Sequence, residues 1–130
     1  MYMIKDVTER LNMTVHTIRH YTNAGLVPNL SHDENGNRLF DDESLNWLTA
    51  ARFLRESGLT IAEIKHYFDL CLEGDTSIQE RYNILVKLKK QTDAELKLIK
   101  ERAKCITEKV NHYKYILNGT IPDDSNPINW

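Results

Sequence analysis

The last third of the chain carries an uninterrupted apolar repeat, which constrains the possible folds more than any other feature. Residues 81–117 contain no Gly and no Pro. Ten residues recur there at heptad spacing in two interleaved series, and only Lys89 and Thr92 among them are polar: Leu85, Thr92, Ile99, Ile106, Tyr113 and Lys89, Leu96, Ala103, Val110, Leu117. A heptad pattern sustained over about five repeats predicts a coiled-coil helix. Because one helix cannot bury its own apolar stripe, we expect a homodimer.

Composition and charge indicate the size and surroundings of the fold. The 130 residues and 41% hydrophobic content suit one small domain plus an extended element. No apolar run reaches the ~18 residues typical of a membrane span, and the N-terminus lacks the pattern of a signal peptide. Cys71 and Cys105 share no metal-like spacing with each other or with a histidine. We therefore expect a cytoplasmic protein with reduced thiols, no membrane partner, no metal and no cofactor.

The charge distribution limits how the chain can bind nucleic acid. Net charge is −2, whereas neutralising phosphates supplies much of the affinity for DNA. Residues 1–70 carry 7 Lys and Arg against 10 Asp and Glu, while residues 81–117 carry 10 against 4. An N-terminal DNA-binding region would therefore act through a few placed residues. The basic surplus of the long helix is interpreted as a solvated face, with phosphate binding as the alternative.

Two short helices joined by a tight turn are predicted at the N-terminus. Apolar residues at helical spacing predict a first helix over residues 4–11, which Asn12 and Met13 interrupt. Thr14 is a good N-cap for a second helix, and Gly25 supplies its C-terminal stop. This arrangement is a helix-turn-helix.

A β-hairpin signal follows the second helix at once. A polar turn at residues 33–37 separates strands predicted at residues 29–30 and 38–40, and its Asn35-Gly36 pair favours a hairpin. The phenylalanine that ends the second strand is expected to anchor the hairpin to the core. A helix-turn-helix followed by a hairpin is the winged variant.

Capping residues mark the later helices. Asp41 is expected to cap a third helix, and Thr60 with Glu63 to form a capping box for a fourth. Ser77 with Glu80 predicts a further capping box before the long helix. Because each predicted boundary carries suitable residues, the layout is consistent along the chain.

Two segments of this sequence carry a recognisable pattern: TVHTIRHYTNAGLVP and ENGNRLFDDESLNWLTAARFLRESGLTIAEIKHYF. They resemble the MerR family of bacterial transcriptional regulators. An arginine-aromatic pair before AGL-P, the wing ENG-R-[FY] and a helix ending in LRE-GL carry the resemblance. It covers residues 2–70 closely and residues 76–117 in general pattern. The run from Leu70 to Arg81 is similar to the aldehyde- and electrophile-responsive subgroup.

The resemblance implies a homodimer bound to a pseudo-palindromic promoter in double-stranded DNA. In that family the spacer between promoter elements is too long for RNA polymerase, an indirect partner, and the regulator activates or represses by distorting the DNA. The predicted fold class is mainly α: a winged helix-turn-helix with a small β-hairpin wing, plus a long dimerisation helix that pairs as an antiparallel coiled coil. The predicted domains are residues 1–75 for DNA binding, 76–118 for dimerisation and 119–130 as a mobile tail.

The exposed face of the second helix supplies the first candidate DNA contacts. His16, Thr17, Arg19 and His20 are expected to reach into the major groove, where Arg19 can contact phosphate or guanine. An ordinary polar surface is the alternative. Tyr21 is expected either to point its hydroxyl at a phosphate or to serve core packing alone.

The wing and third helix supply further candidates. By the resemblance, Arg38 corresponds to the phosphate-contacting arginine of the family, and Asn37 replaces the aromatic residue usually found before it. Arg52 and Arg55 are expected to touch the flanking DNA backbone. Surface ion pairs with Glu56 are the alternative for these two arginines.

The candidate effector-sensing region comprises Phe53, Tyr67 and Cys71. In the electrophile-responsive subgroup the reactive cysteine lies on the third helix, where this chain has Phe53, so thiol chemistry is not carried over to that position. Cys71 is the nearest replacement, and a small-molecule or electrophile effector is a candidate partner. A buried structural cysteine is the alternative, because no adjacent base or helix N-terminus would stabilise its thiolate.

Two other functions stay open at this point. One is an architectural DNA-binding protein similar to excisionase-like factors, and the other is a coiled-coil interaction module without effector sensing. Paired carboxylates, a phosphate loop and a nucleophile–base arrangement are all missing from the sequence, so we predict no catalytic residues and no enzyme.

Overall fold

The computed structural model describes all 130 residues, and its first two helices form the predicted helix-turn-helix. Helix α1 spans Ile4–Leu11 and helix α2 spans Val15–Asn23. Asn12 ends α1 in the left-handed conformation with φ of 52°, which asparagine adopts more readily than most residues. The Thr14 hydroxyl oxygen accepts a 3.1 Å hydrogen bond from the Thr17 amide, which confirms the predicted N-cap of α2.

An antiparallel hairpin follows α2 and forms the wing. Strand β1 is Ser31–His32 and strand β2 is Arg38–Leu39. The prediction of a first strand at residues 29–30 is wrong. Asn29 has a positive φ of 57°, which lies outside the range of strand residues, so β1 begins only after this residue.

The tip of the wing is a three-residue turn, Glu34–Gly36. The Gly36 amide donates to the Asp33 carbonyl at 3.1 Å, and Gly36 adopts φ of +78°, the left-handed position that closes such a turn. Asp33 Oδ1 accepts hydrogen bonds from the amides of Asn37 and Asn35 at 2.8 and 2.9 Å. These bonds, the Asn37 amide first, hold the pKa of the Asp33 carboxyl below its ordinary value. The hairpin predicted from Asn35-Gly36 is confirmed.

A backbone pair joins the wing to the N-terminus. The Tyr2 amide donates to the Phe40 carbonyl at 2.6 Å, and the Phe40 amide donates to the Tyr2 carbonyl at 2.8 Å. The Phe40 side chain is fully buried, which confirms that it anchors the hairpin to the core. The Arg10 guanidinium lies 4.3 Å from the centre of the Tyr2 ring and covers this junction.

The next two helices begin at their predicted caps. Their bounds are Asp42–Glu56 for α3 and Ile61–Glu73 for α4. Asp41 Oδ1 accepts from the Ser44 amide at 2.8 Å. The Thr60 hydroxyl accepts from the Glu63 amide at 3.1 Å, while the Glu63 carboxylate accepts from the Thr60 amide at 3.0 Å. These bonds hold the pKa values of Asp41 and Glu63 below their ordinary values.

The capping box predicted from Ser77 and Glu80 is wrong. A 3-10 turn over Asp75–Ser77 precedes the long helix, and the buried Ser77 hydroxyl donates to the carbonyl oxygens of Leu70 and Gly74. The last carbonyls of a helix have no partner within that helix. The Ser77 hydroxyl therefore closes the end of α4 instead of capping the helix that follows.

One core holds the N-terminal helices and the wing together. Its largest fully buried side chains are Val7, Ile18, Leu26, Phe40, Leu48 and Ile64. Trp47 and Phe68 add an edge-to-face ring contact with centroids 4.8 Å apart, a favourable aromatic geometry. Leu88, from the start of the long helix, is buried in the same core.

Helix α5 spans Ile78–Leu117 without interruption and confirms the predicted long helix. The apolar heptad residues lie exposed along it; Leu96, Ile99 and Ile106, for example, are 48%, 55% and 57% exposed. Tyr82 continues the heptad spacing toward the N-terminus and is also exposed. We call this row of heptad residues the α5 stripe, and it is longer than predicted.

The chain divides into two compact units, Met1–Leu88 and Lys89–Trp130. The functional division into residues 1–75, 76–118 and 119–130 stays a prediction, as does the mobility of the last segment. In the second unit, Gly119 ends α5 with φ of +78°, and a 3-10 turn forms at Pro127–Asn129. None of the helices is long and apolar enough to cross a membrane.

Candidate DNA-binding interface

Helix α2 has one buried and one exposed face. Ile18 and Tyr21 lie in the core, while His16, Arg19 and His20 are exposed on the other side. Because side chains three and four residues apart share a helix face, burying the apolar pair turns these polar residues outward. The face predicted to contact DNA is therefore open to solvent.

Two of the predicted contacts on α2 also have structural roles. The Thr17 hydroxyl accepts a 2.9 Å hydrogen bond from the Thr14 hydroxyl, so this residue supports the N-cap. Tyr21 is only 6% exposed, and the His20 ring lies 6.2 Å from its ring. Core packing, the alternative named for Tyr21, is thus observed. The DNA contacts of both residues stay predictions.

A side-chain hydrogen bond links the wing to α2. The guanidinium of Arg38 on β2 donates to the side-chain oxygen of Asn23, the last residue of α2. In the hairpin register Arg38 lies directly opposite His32. Arg38 is therefore held at the end of the second helix by an interaction that leaves its charge unneutralised.

A cleft of about 270 Å³ opens between the wing, the start of α1 and the middle of α2. We call it the wing cleft. Its walls include Arg19 from α2, Asn37 and Arg38 from the wing, and His32 from β1, with Met3 and Ile4 beside α1. Three predicted contacts, Arg19, Asn37 and Arg38, are thereby brought to one site. His16 and His20 do not line this cleft.

The electrostatics of the wing cleft favour an anion. Neither Arg19 nor Arg38 takes part in any of the ion pairs of the structure. The Asp33 carboxylate accepts from amides of the wing turn and does not line the cleft. A guanidinium presents a planar array of donors that matches phosphate oxygens. The cleft can therefore contact a DNA backbone through two arginines from separate elements.

Sequence reasoning missed two residues of this site. His32 lies opposite Arg38 in the hairpin, but a first strand placed at residues 29–30 left it outside the predicted strand. Asn23 contacts Arg38 across fifteen positions of sequence, and no local pattern indicates such a pair. The alternation of the hairpin would have revealed His32 if the first strand had been placed correctly.

The arginines of α3 bind backbone carbonyls. Arg52 donates to the carbonyl of Leu11, the last residue of α1, and Arg55 donates to the carbonyl of Leu59 at 3.2 Å. The ion pairs with Glu56, named as the alternative for these two arginines, are absent. A helix leaves its final carbonyls without intrahelical partners, and Arg52 satisfies one of them at the end of α1.

The structure brings together two of the three candidate effector-sensing residues. Tyr67 and Cys71 lie one turn apart on α4. Burial, and then the neighbouring Cys71, raises the pKa of the Tyr67 hydroxyl above its ordinary value. Phe53 lies on α3, is 63% exposed and makes no ring contact with Tyr67. No group of three His, Cys, Asp or Glu side chains is placed to hold a metal ion.

Comparison with known proteins identifies the family. Residues 2–71, more than half of the chain, match the family described as MerR HTH family regulatory protein. The chain belongs to the MerR family. It is a DNA-binding transcriptional regulator with the winged helix-turn-helix fold of that family.

Individual relatives agree with this assignment. An HTH-type transcriptional regulator of Haemophilus influenzae is 28% identical over 87% of this chain and 84% of its own length. The regulator AdhR of Bacillus subtilis is 33% identical over 63% of this chain and 59% of its own length. The crystal structure of HiNmlR, a MerR family regulator lacking the sensor domain and bound to promoter DNA, superposes with a TM-score of 0.85 at 26% identity. That superposition covers 96% of this chain and 95% of the other.

Proposed function

We propose that this regulator binds a pseudo-palindromic promoter as a homodimer and controls transcription by distorting an overlong promoter spacer. The observation that carries the proposal is the wing cleft, where Arg19 and Arg38 meet with Asn23 holding the second of them. Residues 1–88 carry 9 Lys and Arg against 13 Asp and Glu. Affinity therefore depends on a few placed cations.

Each element of the domain has a distinct task in the proposed complex. The exposed face of α2 enters the major groove, where His16, Arg19 and His20 meet base edges and phosphates. In the wing, Asn37 and Arg38 contact the flanking backbone, which fixes the position of the domain without reading sequence. Thr17 supports the N-cap of α2 and Tyr21 packs in the core, so both position this helix. Their hydroxyls are proposed as additional contacts to the DNA.

The homodimer is proposed from the α5 stripe. Its large apolar side chains are exposed, and such a row on a soluble chain marks an interaction surface. Pairing with the same stripe of a second copy gives a two-fold dimer held by an antiparallel coiled coil. A two-fold protein matches a two-fold DNA site, because each half-site then receives one helix-turn-helix.

The regulatory step is proposed to be indirect readout. Two winged domains fixed by one coiled coil engage both half-sites together only if the intervening DNA bends or twists. The deformation changes the spacing of the promoter elements that RNA polymerase meets. RNA polymerase is then affected through the DNA. The crystal structure of the similar regulator HiNmlR bound to promoter DNA supports promoter binding by this fold.

Transcription from promoters with altered spacers tests this mechanism. We expect the protein to regulate a promoter with an overlong spacer and an inverted repeat. Regulation should disappear when the spacer is shortened to the length that RNA polymerase prefers, although binding to the repeat persists. Regulation that does not depend on spacer length would contradict the distortion, and binding with no effect on transcription would favour an architectural role.

The effector is proposed to act near Cys71 on α4. The half-buried Cys71 thiol beside the Tyr67 hydroxyl is a candidate point of attack for an electrophile. Induction by aldehydes should then decrease in Cys71→Ser. The exposed Cys105 provides the matched control, because Cys105→Ser should respond like the wild type. Full inducibility of Cys71→Ser would eliminate Cys71 as the sensor.

A further inference from the structure

The last residues of the chain are tied to the final turns of α5 by side-chain contacts. His112 Nε2 lies 2.5 Å from Asp124 Oδ1. The Lys109 ammonium lies 4.0 Å from the centre of the Trp130 ring, and Trp130 Nε1 donates to the Ser125 carbonyl at 3.1 Å. A cation over the face of an indole ring is a favourable contact. The terminal tryptophan is thus placed beside the helix by its own segment.

Trp130 forms one edge of a groove on the α5 stripe. The groove encloses about 520 Å³ and is lined by Ile106, Val110, Tyr113 and Leu117 together with the indole of Trp130. We call it the tail groove. The stripe residues are also the heptad positions of the predicted coiled coil, so the tryptophan widens the surface on which a second helix would lie.

We propose that the tail groove receives the start of α5 from a second copy of the chain, with Trp130 as one wall of the dimer interface. The inference rests on the proposed homodimer and deepens it. The terminal segment becomes part of the assembly, with the His112–Asp124 pair holding the wall in place.

The spacing of apolar residues along α5 identifies the occupant. Ile78, Tyr82 and Leu85 occupy the first heptad positions of the stripe and are exposed. An antiparallel pair of helices that overlaps over the whole stripe places Leu85 opposite Val110. The same register places Tyr82 opposite Tyr113 and Ile78 opposite Leu117. Each of these three pairs joins two apolar or aromatic side chains, whereas Ile106, which also lines the groove, lies opposite Lys89.

The charges favour the same orientation. Lys109 and Lys114 flank the tail groove. Residues 71–80, which include the first turn of α5, carry three acidic side chains and no basic one, and Arg81 is the one basic residue of the occupant segment 78–85. An antiparallel dimer brings this acidic segment of one copy near the basic end of the other. A parallel dimer would instead place Lys109 and Lys114 of one copy beside the same two lysines of the other copy, and like charges disfavour that pairing.

Fluorescence and sedimentation of the full chain test the proposal. In a Trp47→Phe background Trp130 is the only tryptophan, and it is 74% exposed in the single chain. We expect its emission to shift to shorter wavelength as the concentration passes through the dimer dissociation constant. In sedimentation, Trp130→Ala should raise that constant by about tenfold or more, as loss of a tryptophan anchor does. The dimer dissociation constant of Trp130→Phe should lie between those of the wild type and Trp130→Ala.

Controls distinguish this inference from the dimer on which it rests. Tyr115→Ala removes an aromatic ring from the same turns of α5 but outside the groove, and the constant should not change. Asp124→Asn should weaken the dimer in the same direction as Trp130→Ala. Val110→Asp should abolish dimerisation. Circular dichroism confirms that each variant is folded.

The possible outcomes distinguish the role of the tail from the existence of the homodimer. A dimer that Val110→Asp disrupts but Trp130→Ala leaves unchanged overturns the role of the tail and keeps the homodimer. A Trp130 emission that does not shift as the dimer forms also overturns the role of the tail. A wild-type chain that stays monomeric, or a dimer that tolerates Val110→Asp, overturns both the inference and the proposed dimer.

Discussion

The Arg38 guanidinium in the wing donates its hydrogen bond to the side chain of Asn23, the last residue of α2. The helix proposed to read bases and the strand proposed to hold the backbone are therefore joined by one bond. Each positions the other, since a displacement of the wing moves its arginine relative to α2. The hydrogen bond to Asn23 fixes the position of the Arg38 guanidinium without neutralising its charge.

This relationship gives a prediction with two distinguishable variants. Arg38→Ala should weaken DNA binding and make the log–log dependence of affinity on salt less steep by about one, because a phosphate contact and its released counterion are lost. Asn23→Ala should also weaken binding, but with the salt dependence unchanged. Fluorescence anisotropy over a salt series measures both. Equal slopes for the wild type and Arg38→Ala would remove the wing arginine from the phosphate contacts.

Arg19 is predicted to contribute to sequence recognition. Arg19→Ala should cost about 1–3 kcal/mol of binding free energy on the preferred site and narrow the difference between that site and a scrambled one. Lys90→Ala, which removes an exposed charge from α5, serves as the control and should retain discrimination. If Arg19→Ala weakens both DNA fragments equally, the residue contacts phosphate only.

Gly36 is predicted to be required for its backbone conformation alone. It adopts φ of +78°, and a Cβ placed there would have no neighbour within 4 Å. Gly36→Ala should lower the free energy of unfolding by about 1 kcal/mol through left-handed strain, whereas Gly36→Asn should cost less. Urea denaturation compares the two variants. A larger loss for asparagine than for alanine would contradict this explanation.

The carboxylate caps predict how stability changes in acid. Hydrogen bonds lower the pKa values of Asp41 and Asp33 from 3.8, and that of Glu63 from 4.5, in the folded protein. Because the folded values are depressed, these groups stabilise the fold above their unfolded pKa values. Their contribution is lost as the pH falls through the folded values. Thermal unfolding should therefore show Tm decreasing below about pH 4.5.

A matched variant isolates one of these caps. Asparagine accepts the same N-cap hydrogen bond as aspartate but does not titrate. Asp41→Asn should therefore keep α3 capped while making the acid side of the Tm profile less steep. An unchanged profile in this variant would assign the acid sensitivity to other carboxyl groups.

Local chemistry predicted most of the fold. The caps at Thr14, Asp41 and Thr60 lie where their side chains satisfy amides within three residues, and such short-range bonds are legible in sequence. Ser77 was misassigned because its partner is a carbonyl seven residues away, in the preceding helix. The first strand was misplaced because nothing in Asn29-Leu30 signals the positive φ of Asn29.

The candidate site was less accessible to sequence reasoning. Arg19 and Arg38 could be named individually from their positions on the second helix and the wing. That they share one cleft, and that Asn23 holds Arg38, depends on how the hairpin packs against α2. The role of Arg52 at the end of α1 could not be predicted for the same reason, because its carbonyl acceptor belongs to a different helix. Long-range polar contacts follow from tertiary packing and leave no periodic trace.

Because the α5 stripe is uncovered in a single chain, regulation should depend on the concentration of the protein. If two chains must associate before both half-sites can be filled, promoter occupancy rises more steeply than linearly with protein concentration below the dimer dissociation constant. Modest changes in synthesis or degradation then produce large changes in transcription. The exposed stripe of the single chain thereby sets a threshold in protein concentration for promoter occupancy.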